Sequence, residues 1–357
     1  MRISSRISPL VAFACVVVFG SGCGNDGAKT PITDANYITC PTPGELPFRM
    51  QTTGFQVPDN AVTVMLNSRD KDAASDTLGN PGGGPIADVY INDKATPAPG
   101  SLEFTGLKSR TLPNQGFFDN ALAGEFVSMW TYSGRSWQMI GRTVTDVNGN
   151  YDVTTNGYPI SNKQPIYNML EADGSCAISW NYVYPIGTQF VVFDIDGTLT
   201  LSDEEFLDEL ADETYVPKLM GGAVQLVQAW VDKGYHPIYL TARAHDFRAD
   251  TRSWLELEGF PRGAIITSVP GDSAQPFKTL WMTRMIKTFG WVFVAAYGNM
   301  DTDIGAYNAA GVNIPSSATF IVGQYGGDLG STAIPNMDYT DHIATYVAAQ
   351  PNAPANN

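Results

Sequence analysis

The segment Asp194-Ile195-Asp196-Gly197-Thr198-Leu199-Thr200 decides the expected fold, because it directly follows an apolar strand predicted at 189–193. Helix and strand patterns alternate after it. Predicted helices cover 218–232, 247–258, 277–289 and 301–310, and predicted strands cover 237–240, 264–267, 291–297 and 319–322. This alternation predicts an α/β fold, a parallel sheet with helices on both faces. Such sheets bind ligands at the carboxyl ends of their strands, where Asp194 lies.

The two carboxylates at this strand end suit phosphoryl transfer. Asp194 can attack phosphorus and help to bind Mg²⁺, while Asp196 can protonate the leaving oxygen and then activate water. Gly197 frees the backbone, so that its N–H groups can face phosphate oxygens. Taken alone, the segment could also be a solvated turn without chemistry.

Three later segments carry residues of the same chemistry. Thr241 ends the second predicted strand, Lys278 opens a predicted helix, and Gly298-Asn299-Met300-Asp301-Thr302-Asp303 follows another strand. With the Asp-x-Asp-Gly-Thr segment, they resemble the four motifs of the haloacid dehalogenase (HAD) superfamily, in the same order. The resemblance implies a HAD-like Rossmannoid fold and a phosphatase that works through an aspartyl-phosphate intermediate.

A closer resemblance is to the lipin/LNS2 branch of that superfamily. It is carried by the segments 194–203, 241–244, 277–278, 295–299 and 302–307 and covers residues 189–323. The branch contains Mg²⁺-dependent phosphatidate phosphatases and related lipid-binding domains. Asn299, where an acidic residue is common elsewhere in the superfamily, is typical of this branch.

The expected site residues follow from charge and from these motifs. Asp194, Asn299 and the backbone carbonyl of Asp196 are expected to bind Mg²⁺, because a hard cation prefers oxygen ligands. Asp303 is expected beside them, as a direct ligand or one step removed. The cation would offset the repulsion between the anionic nucleophile and a phosphate dianion.

One hydroxyl side chain and several basic side chains are candidates for holding phosphate. Thr241 and Lys278 would bind phosphoryl oxygens, and Lys278 would keep the nucleophile ionised. Lys287 is the alternative lysine, but it lies nearer the far end of its predicted helix. Arg243 could contact phosphate or a headgroup, or could form a structural salt bridge.

The first half of the chain has a different pattern. Predicted strands at 61–66, 126–132 and 136–140 are separated by Gly, Asn and Pro clusters, and Asn148-Gly149 predicts a hairpin turn. We expect an immunoglobulin-like β-sandwich. The expected organisation is a signal peptide at 1–22, a tether at 23–46, the sandwich at 47–185, the catalytic domain at 186–325 and a tail at 326–357.

The N-terminus predicts an exported protein. A basic start and an apolar run at 10–19 precede Gly20-Ser21-Gly22-Cys23, which resembles the lipobox of bacterial lipoproteins. Lipidation of Cys23 and a location in the bacterial cell envelope are therefore expected, with a periplasmic or secreted protein as the alternative. Cys40 and Cys176 would then form a disulfide in an oxidising compartment.

The overall charge limits the partners. The chain has 357 residues and a net charge of −15 at pH 7, so a nucleic-acid partner is not expected. No stretch has the roughly 20 consecutive apolar residues of a transmembrane helix. A phosphate-bearing ligand must be attracted locally, by a metal ion or by a few Lys and Arg side chains.

The expected function is a Mg²⁺-dependent phosphatase acting on phosphatidic acid or a related lipid phosphate at a membrane surface. The predicted elements leave no room for a sizeable cap domain, and an open site suits a substrate too large to be enclosed. A soluble phosphomonoesterase or nucleotidase is one alternative. A non-catalytic phosphatidate-binding module is the other, although such a binder does not need both Asp194 and Asp196.

Overall fold

The structure is a computed structural model, and most of the residues it describes lie in the second half of the chain. It describes residues 72–74, 77–79, 101–110, 120–121, 124–133, 135–147, 150–156, 164–171, 176–211, 215–244, 247–268, 273–311, 318–355 and 357. The predicted signal segment, Cys23, Cys40 and the strand predicted at 61–66 lie outside these residues. The expected disulfide and lipidation therefore involve residues outside the described structure.

The first half forms two sheets. Its strands are β1 Asp72–Ala74, β2 Thr77–Gly79, β3 Ser101–Arg110, β4 Asn120–Ala121, β5 Phe126–Ser133, β6 Ser136–Val144, β7 Asn150–Asn156, β8 Gln164–Leu170 and β9 Cys176–Val183. One sheet has the order β2-β9-β8-β5-β6 and is antiparallel except for the β2–β9 pair. In the other, β3 pairs antiparallel with β1, β4 and β7.

This pairing corrects the predicted hairpin. Strand β6 pairs with β5, while β7 pairs with β3 in the other sheet, so the turn between β6 and β7 joins two sheets. An Asn-Gly dipeptide between two strands marks a turn, but which strands pair is set by packing. The antiparallel sheets agree with the predicted β-domain, and its immunoglobulin-like topology stays a prediction.

The second half is the predicted α/β fold. Its elements are β10 Gln189–Phe193, α1 Glu204–Ala211, α2 Ala223–Asp232, β11 His236–Ala244, α3 Arg248–Leu257, β12 Ala264–Ser268, α4 Ala274–Thr283, β13 Val292–Gly298, α5 Asp301–Ala310, β14 Thr319–Val322, β15 Thr332–Ile334 and α6 Thr340–His342. A π-helical turn extends α4 over Arg284–Thr288, and another extends α6 over Ile343–Val347. The six strands are all parallel, in the order β12-β11-β10-β13-β14-β15.

The main shift from the predicted elements lies before α2. The helix predicted at 218–232 begins only at Ala223, because Gly222 adopts a left-handed conformation with φ of +71°. Residues 218–221 are not helical, and Leu219 pairs with Thr200 and Gly221 with Asp338. The apolar period of 218–232 is real, but the glycine pair shortens the helix.

The segment after residue 325 belongs to the α/β fold. Strand β15 adds a sixth strand beside β14, and the Tyr339 hydroxyl donates to the backbone carbonyl of Thr198 over 3.1 Å. At the C-terminus, the Asn357 side chain accepts from the backbone N–H of Gln189 and donates to its carbonyl. The sequence analysis identified no element here, because β15 has only three residues and gives no periodic signal.

Contacts with the α/β fold hold the β-sheets in place. The Tyr182 hydroxyl donates to the carbonyl of Gly263 over 3.0 Å. The guanidinium groups of Arg252 and Arg262 lie over the Trp180 ring, 4.0 and 5.0 Å from its centroid. Because Trp180 and Tyr182 are buried in the same apolar core as strand β10, the two halves pack through a shared core.

A buried polar chain connects the C-terminal segment to the sheet. The Trp230 indole N–H donates to the Tyr297 hydroxyl over 2.9 Å, and that hydroxyl lies 2.8 Å from Nε2 of His342. The Tyr297 hydroxyl thus links the indole of Trp230 to the imidazole of His342. Burial lowers the pKa of His342 to about 4, because removal from water disfavours the charged imidazolium.

We expect this histidine to make the fold sensitive to acid. Its pKa is lower in the folded than in the unfolded chain, so its stabilising effect is complete above pH 6.5 and is lost as the pH falls towards 4. The free energy of unfolding should drop by about 2 kcal/mol between pH 7 and pH 4.5 from this residue alone. Urea unfolding of wild type and His342→Phe at both pH values measures the effect. An equal drop in both proteins would contradict it.

Candidate active site

Three neighbouring strands bring the predicted site residues to one edge of the sheet. Strand β10 lies between β11 and β13, and all three are parallel, so their carboxyl ends meet. Asp194 follows β10, and its backbone N–H donates to the Tyr297 carbonyl over 3.0 Å. Arg243 lies near the end of strand β11, and Asn299 directly follows β13.

Lys278 lies between two buried carboxylates. Its Nζ is 2.6 Å from Oδ1 of Asp194 and 2.6 Å from Oδ1 of Asp303. Burial alone would lower the pKa of this ammonium, but the two carboxylates raise it, so Lys278 is charged. The pKa of Asp194 is raised to about 7 by burial, and the Lys278 charge opposes this while Asp303 and Asp196 add to it.

The two helices on this side set the geometry of the three groups. Lys278 lies on α4 and Asp303 in the first turn of α5, and these helices pack against each other. Oδ2 of Asp303 accepts the backbone N–H groups of Asn299 and Met300, each over 3.1 Å. A carboxylate at a helix N-terminus is stabilised in this way. Both oxygens of Asp303 are therefore engaged, one by Lys278 and one by the turn that carries Asn299.

Arg243 forms a forked ion pair with Asp196. Its Nε lies 3.1 Å from both carboxylate oxygens, and its Nη2 lies 2.8 Å from Oδ1. The guanidinium is buried, whereas the Asp196 side chain is 21% exposed. Burial alone would lower the pKa of Arg243, but the Asp196 charge raises it. The structure thus shows the salt bridge, which was one of the two alternatives for Arg243.

Further contacts hold the guanidinium from behind. Nη1 of Arg243 donates to the Thr251 hydroxyl over 3.2 Å and lies 3.5 Å from Oε2 of Glu209. Cζ of Arg243 lies 4.4 Å from the centroid of the Phe206 ring. Phe206 and Glu209 belong to α1, which the sequence analysis did not predict. Their three-residue spacing, which places two side chains on one helix face, is the signal that could have indicated this contact.

The turn after Asp196 brings Gly197 against Asn299. The amide of Asn299 donates to Oδ1 of Asp203 over 2.9 Å, and this pair covers Gly197, whose φ is +63°. A Cβ on Gly197 would collide with both side chains. Burial raises the pKa of Asp203, the Asn299 hydrogen bond lowers it, and the Asp196 charge raises it again. Asp203 lies inside the 194–203 segment, but the sequence analysis assigned it no role.

The remaining candidates have separate positions. Thr241 is buried inside β11, which continues to Ala244, and its hydroxyl accepts the backbone N–H of Arg243 over 3.1 Å. Lys287 is exposed on the π-helical turn beyond α4.

The donor set at this edge is suited to a hard cation. In the described residues, no three His, Cys, Asp or Glu side chains form a cluster that could hold a metal. An ion here would thus need amide and carbonyl oxygens besides Asp194, and the Asn299 amide and the backbone of Asp196 supply them. Because the Asn299 nitrogen donates to Asp203, the amide orientation is fixed with its oxygen available. These donors fit Mg²⁺ completed by water.

Comparison with known proteins identifies the α/β half. Residues 191–323 match the family model for the LNS2 domain of PITM 1-3. These residues are similar to the LNS2 domain, and we refer to them by that name. The predicted HAD-superfamily, lipin/LNS2 recognition is therefore confirmed for this part of the chain.

Similar curated proteins come from animals. Protein retinal degeneration B of Drosophila melanogaster is 31% identical over 61% of this chain and 17% of its own length. Membrane-associated phosphatidylinositol transfer protein 3 of Mus musculus is 33% identical over 45% of this chain and 16% of its own length. The Homo sapiens protein of the same name is 31% identical over 57% of this chain and 20% of its own length. This chain thus spans a fifth or less of the relatives' length.

A solved structure is also similar. A HAD-like phosphatase from Mesorhizobium loti aligns with a TM-score of 0.35 and 18% sequence identity, over 45% of this chain and 87% of that one.

The relatives correct the expected location. The LNS2 domain matches eukaryotic proteins named as membrane-associated phosphatidylinositol transfer proteins, so the prediction of an exported protein of the bacterial cell envelope is wrong. A short apolar run before a cysteine is by itself a weak signal for export. Among the described residues, no helix has the length and apolar character required to cross a bilayer.

We expect Gly197→Ala to destabilise the LNS2 domain. A left-handed alanine costs about 1 kcal/mol, and the collision with Asn299 and Asp203 should add about 2 kcal/mol. Gly187→Ala is the matched control, because Gly187 has a φ of +84° and no atom lies within 4 Å of the position that a Cβ would take there. Urea unfolding of both variants measures the difference. Equal losses of stability would show that Asn299 and Asp203 do not cover Gly197 closely.

Proposed function

We propose that this chain hydrolyses phosphate monoesters and that its substrate is phosphatidic acid or a related lipid phosphate. The observation that carries the proposal is the pair Asp194 and Asp196 at one strand end, each held by a buried cation. A module that only binds phosphate gains nothing from two carboxylates there, since both repel the ligand. A nucleophile and an acid–base residue are both needed for turnover through an aspartyl-phosphate.

The two carboxylates would have successive roles. Asp194 attacks phosphorus, an Asp194 oxygen–phosphorus bond forms, and the bond from phosphorus to the alcohol oxygen breaks. Asp196, acting as the general acid, gives a proton to the departing alcohol. Asp196 then takes a proton from water, which attacks phosphorus and releases inorganic phosphate with Asp194 restored.

Lys278 would keep the nucleophile ionised. Its ammonium binds Oδ1 of Asp194, and the other oxygen accepts only the longer 3.3 Å hydrogen bond from the Thr198 hydroxyl. Oδ2 is therefore the oxygen we assign to attack. Bound Mg²⁺ would supply positive charge against the phosphate, held by Asp194, Asn299 and the carbonyl of Asp196. Asp303, whose two oxygens are engaged, would position Lys278 and the Asn299 turn.

A lipid substrate is supported by the relatives and by the open site. The similar animal proteins are named for phosphatidylinositol transfer and membrane association. The described residues between Asp196 and Thr241 form α1, α2 and short connections, without a cap over the sheet edge. Leu201 in this region is 39% exposed beside the site. An uncovered site of this kind can approach a headgroup that stays in its bilayer.

The second candidate is a lipid-phosphate binder without turnover. It is favoured by the same names, because transfer proteins bind phospholipids without cleaving them, and by the ion pairs that neutralise both carboxylates. A soluble phosphomonoesterase is the third candidate, and it would differ from the first in acting on water-soluble phosphate esters. Activity measurements separate all three.

Replacing Asp194 with Asn should abolish turnover without unfolding the protein. The variant keeps the size of the side chain but loses the nucleophilic charge, so we expect phosphate release to fall by about 10⁴-fold or more. Release is measured from phosphatidic acid in detergent micelles and from p-nitrophenyl phosphate, with Mg²⁺ and with EDTA.

Asp232→Asn is the matched control, because Asp232 ends α2 at the opposite edge of the sheet and should keep wild-type rates. Lipid binding by the wild type without phosphate release from any ester would favour the binder. Release from water-soluble esters alone would favour the soluble phosphatase.

Arg243→Lys should slow turnover and change its pH dependence. A lysine cannot reproduce the forked contact with Asp196 or the packing on Phe206, so the acid–base carboxylate is held less firmly. We expect kcat to fall by about 10²-fold with a smaller change in KM. Rates across pH 5 to 9 for both proteins provide the test. A changed KM with an unchanged kcat would mean that Arg243 binds substrate instead.

A further inference from the structure

A pocket adjoins the turn that carries the two catalytic carboxylates. It has a volume of about 200 Å³ and opens to solvent. Gly197 and Asn299, together with Asp203, are among the residues that line it. Because Gly197 is next to Asp196 in the chain, a molecule whose phosphate lies at Asp194 has its remaining part close to this pocket.

The lining of the pocket mixes polar and apolar side chains, and we call four of the apolar ones the apolar wall. They are Leu201, Met300, Tyr325 and Met337. Leu201 is 39% exposed and Met337 is 44% exposed, so both keep apolar surface in water beside a polar site. Burying such surface against an apolar ligand is favourable.

Half of this wall lies beyond the segment shared with the LNS2 family. The family match ends at residue 323, while Gln324, Tyr325 and Met337 follow it. This segment is held in place by β15 and by the Tyr339 hydroxyl, which binds the Thr198 carbonyl in the catalytic turn. The wall is therefore tied rigidly to the site.

The backbone that presents Met337 is strained. Asn336 and Met337 have φ values of 59° and 51°, in the left-handed region that residues with a side chain seldom adopt. Strain of this kind persists where the surrounding structure imposes it, and it is concentrated at functional sites. Here it directs a flexible apolar side chain at the pocket.

The charges in the pocket exclude an anion. The charged residues that line it, Asp203 and Glu204, are both acidic. A phosphate group is repelled from them, and the two cations of the site, Lys278 on α4 and Arg243 near the end of β11, lie outside this lining. The pocket thus suits the uncharged part of a phosphate ester.

We infer that this pocket binds the apolar alcohol part of the substrate, the glycerol backbone and first acyl carbons of a lipid phosphate, and that Met337 determines specificity for it. The inference rests on the proposed function for the position of the phosphate. Met337 discriminates between esters, and it takes no part in the chemical step.

The first test compares two substrates. Met337→Ser should lower kcat/KM for dihexanoyl phosphatidic acid about tenfold, since an apolar contact is lost, and should leave glycerol 3-phosphate unchanged. Met337→Leu should retain the activity on the lipid. Leu257→Ser is the matched control, because Leu257 is 38% exposed at the end of α3, away from the pocket. An equal fall for both substrates, or none for the lipid, overturns the inference.

A second measurement does not depend on turnover. In Asp194→Asn protein labelled at the methionine methyl groups, the NMR signal of Met337 should shift when dihexanoyl phosphatidic acid is added and stay in place with inorganic phosphate. The signal is assigned by its loss in Met337→Leu. A shift in a protein whose wild type releases no phosphate supports the pocket and rejects the phosphatase. Hydrolysis of the lipid by the wild type without a shift rejects the pocket alone.

A third variant tests the strain. Met337→Gly should unfold at a higher temperature than Met337→Ser, because only glycine adopts a φ of 51° without cost. Both variants should lose the lipid preference. A lower unfolding temperature for the glycine variant would contradict the argument that the backbone holds Met337 under strain.

Discussion

The buried ammonium of Lys278 is the interaction on which the rest of the site depends. It lies 2.6 Å from each of two carboxylates, Asp194 at the end of β10 and Asp303 at the start of α5. Without it, two negative charges would share a dry space, and breaking a buried pair of this kind costs about 3–5 kcal/mol. The lysine thus connects the central strand, α4 and α5 through charge. The same contacts fix the oxygen of Asp194 that does not react and the turn that presents Asn299.

The aromatic core explains why this charge cluster can be so rigid. The Tyr297 carbonyl accepts both the backbone N–H of Asp194 and the hydroxyl of Tyr307, over 3.0 and 2.9 Å. The Tyr297 ring stacks between those of Phe193 and Phe320 and ends at Trp230 and His342. Close packing transmits displacement, so a shift of the C-terminal segment would be felt at the nucleophile. The segment is therefore part of the scaffold of the site.

The sequence was sufficient to predict the main strands and helices and the site residues that follow them. Strand β10, helix α5 and strand β14 have the predicted bounds, because each combines a clear apolar pattern with polar punctuation. The sequence did not predict the contacts behind Arg243, since they depend on α1, a short helix whose packing brings Glu209 and Phe206 to the guanidinium. The C-terminal wall was missed for a similar reason: three-residue strands and left-handed turns have no periodicity. The predicted location in the bacterial cell envelope was wrong because it was inferred from a short N-terminal pattern alone.

The distribution of charge separates the two ends of a substrate. Five carboxylates, of Asp194, Asp196, Asp203, Asp303 and Glu209, lie along this edge with only the cations of Lys278 and Arg243 paired to them among the contacts described. The edge is thus too negative to attract a phosphate dianion by itself, and a divalent cation is the simplest group that could reverse the sign locally. The adjoining pocket repels anions as well, but it offers apolar surface. A molecule that satisfies both regions is charged at one end, where it carries the phosphate, and apolar at the other. Phosphate monoesters of lipids have that form, whereas sugar phosphates and nucleotides would place polar groups against Leu201 and Met337.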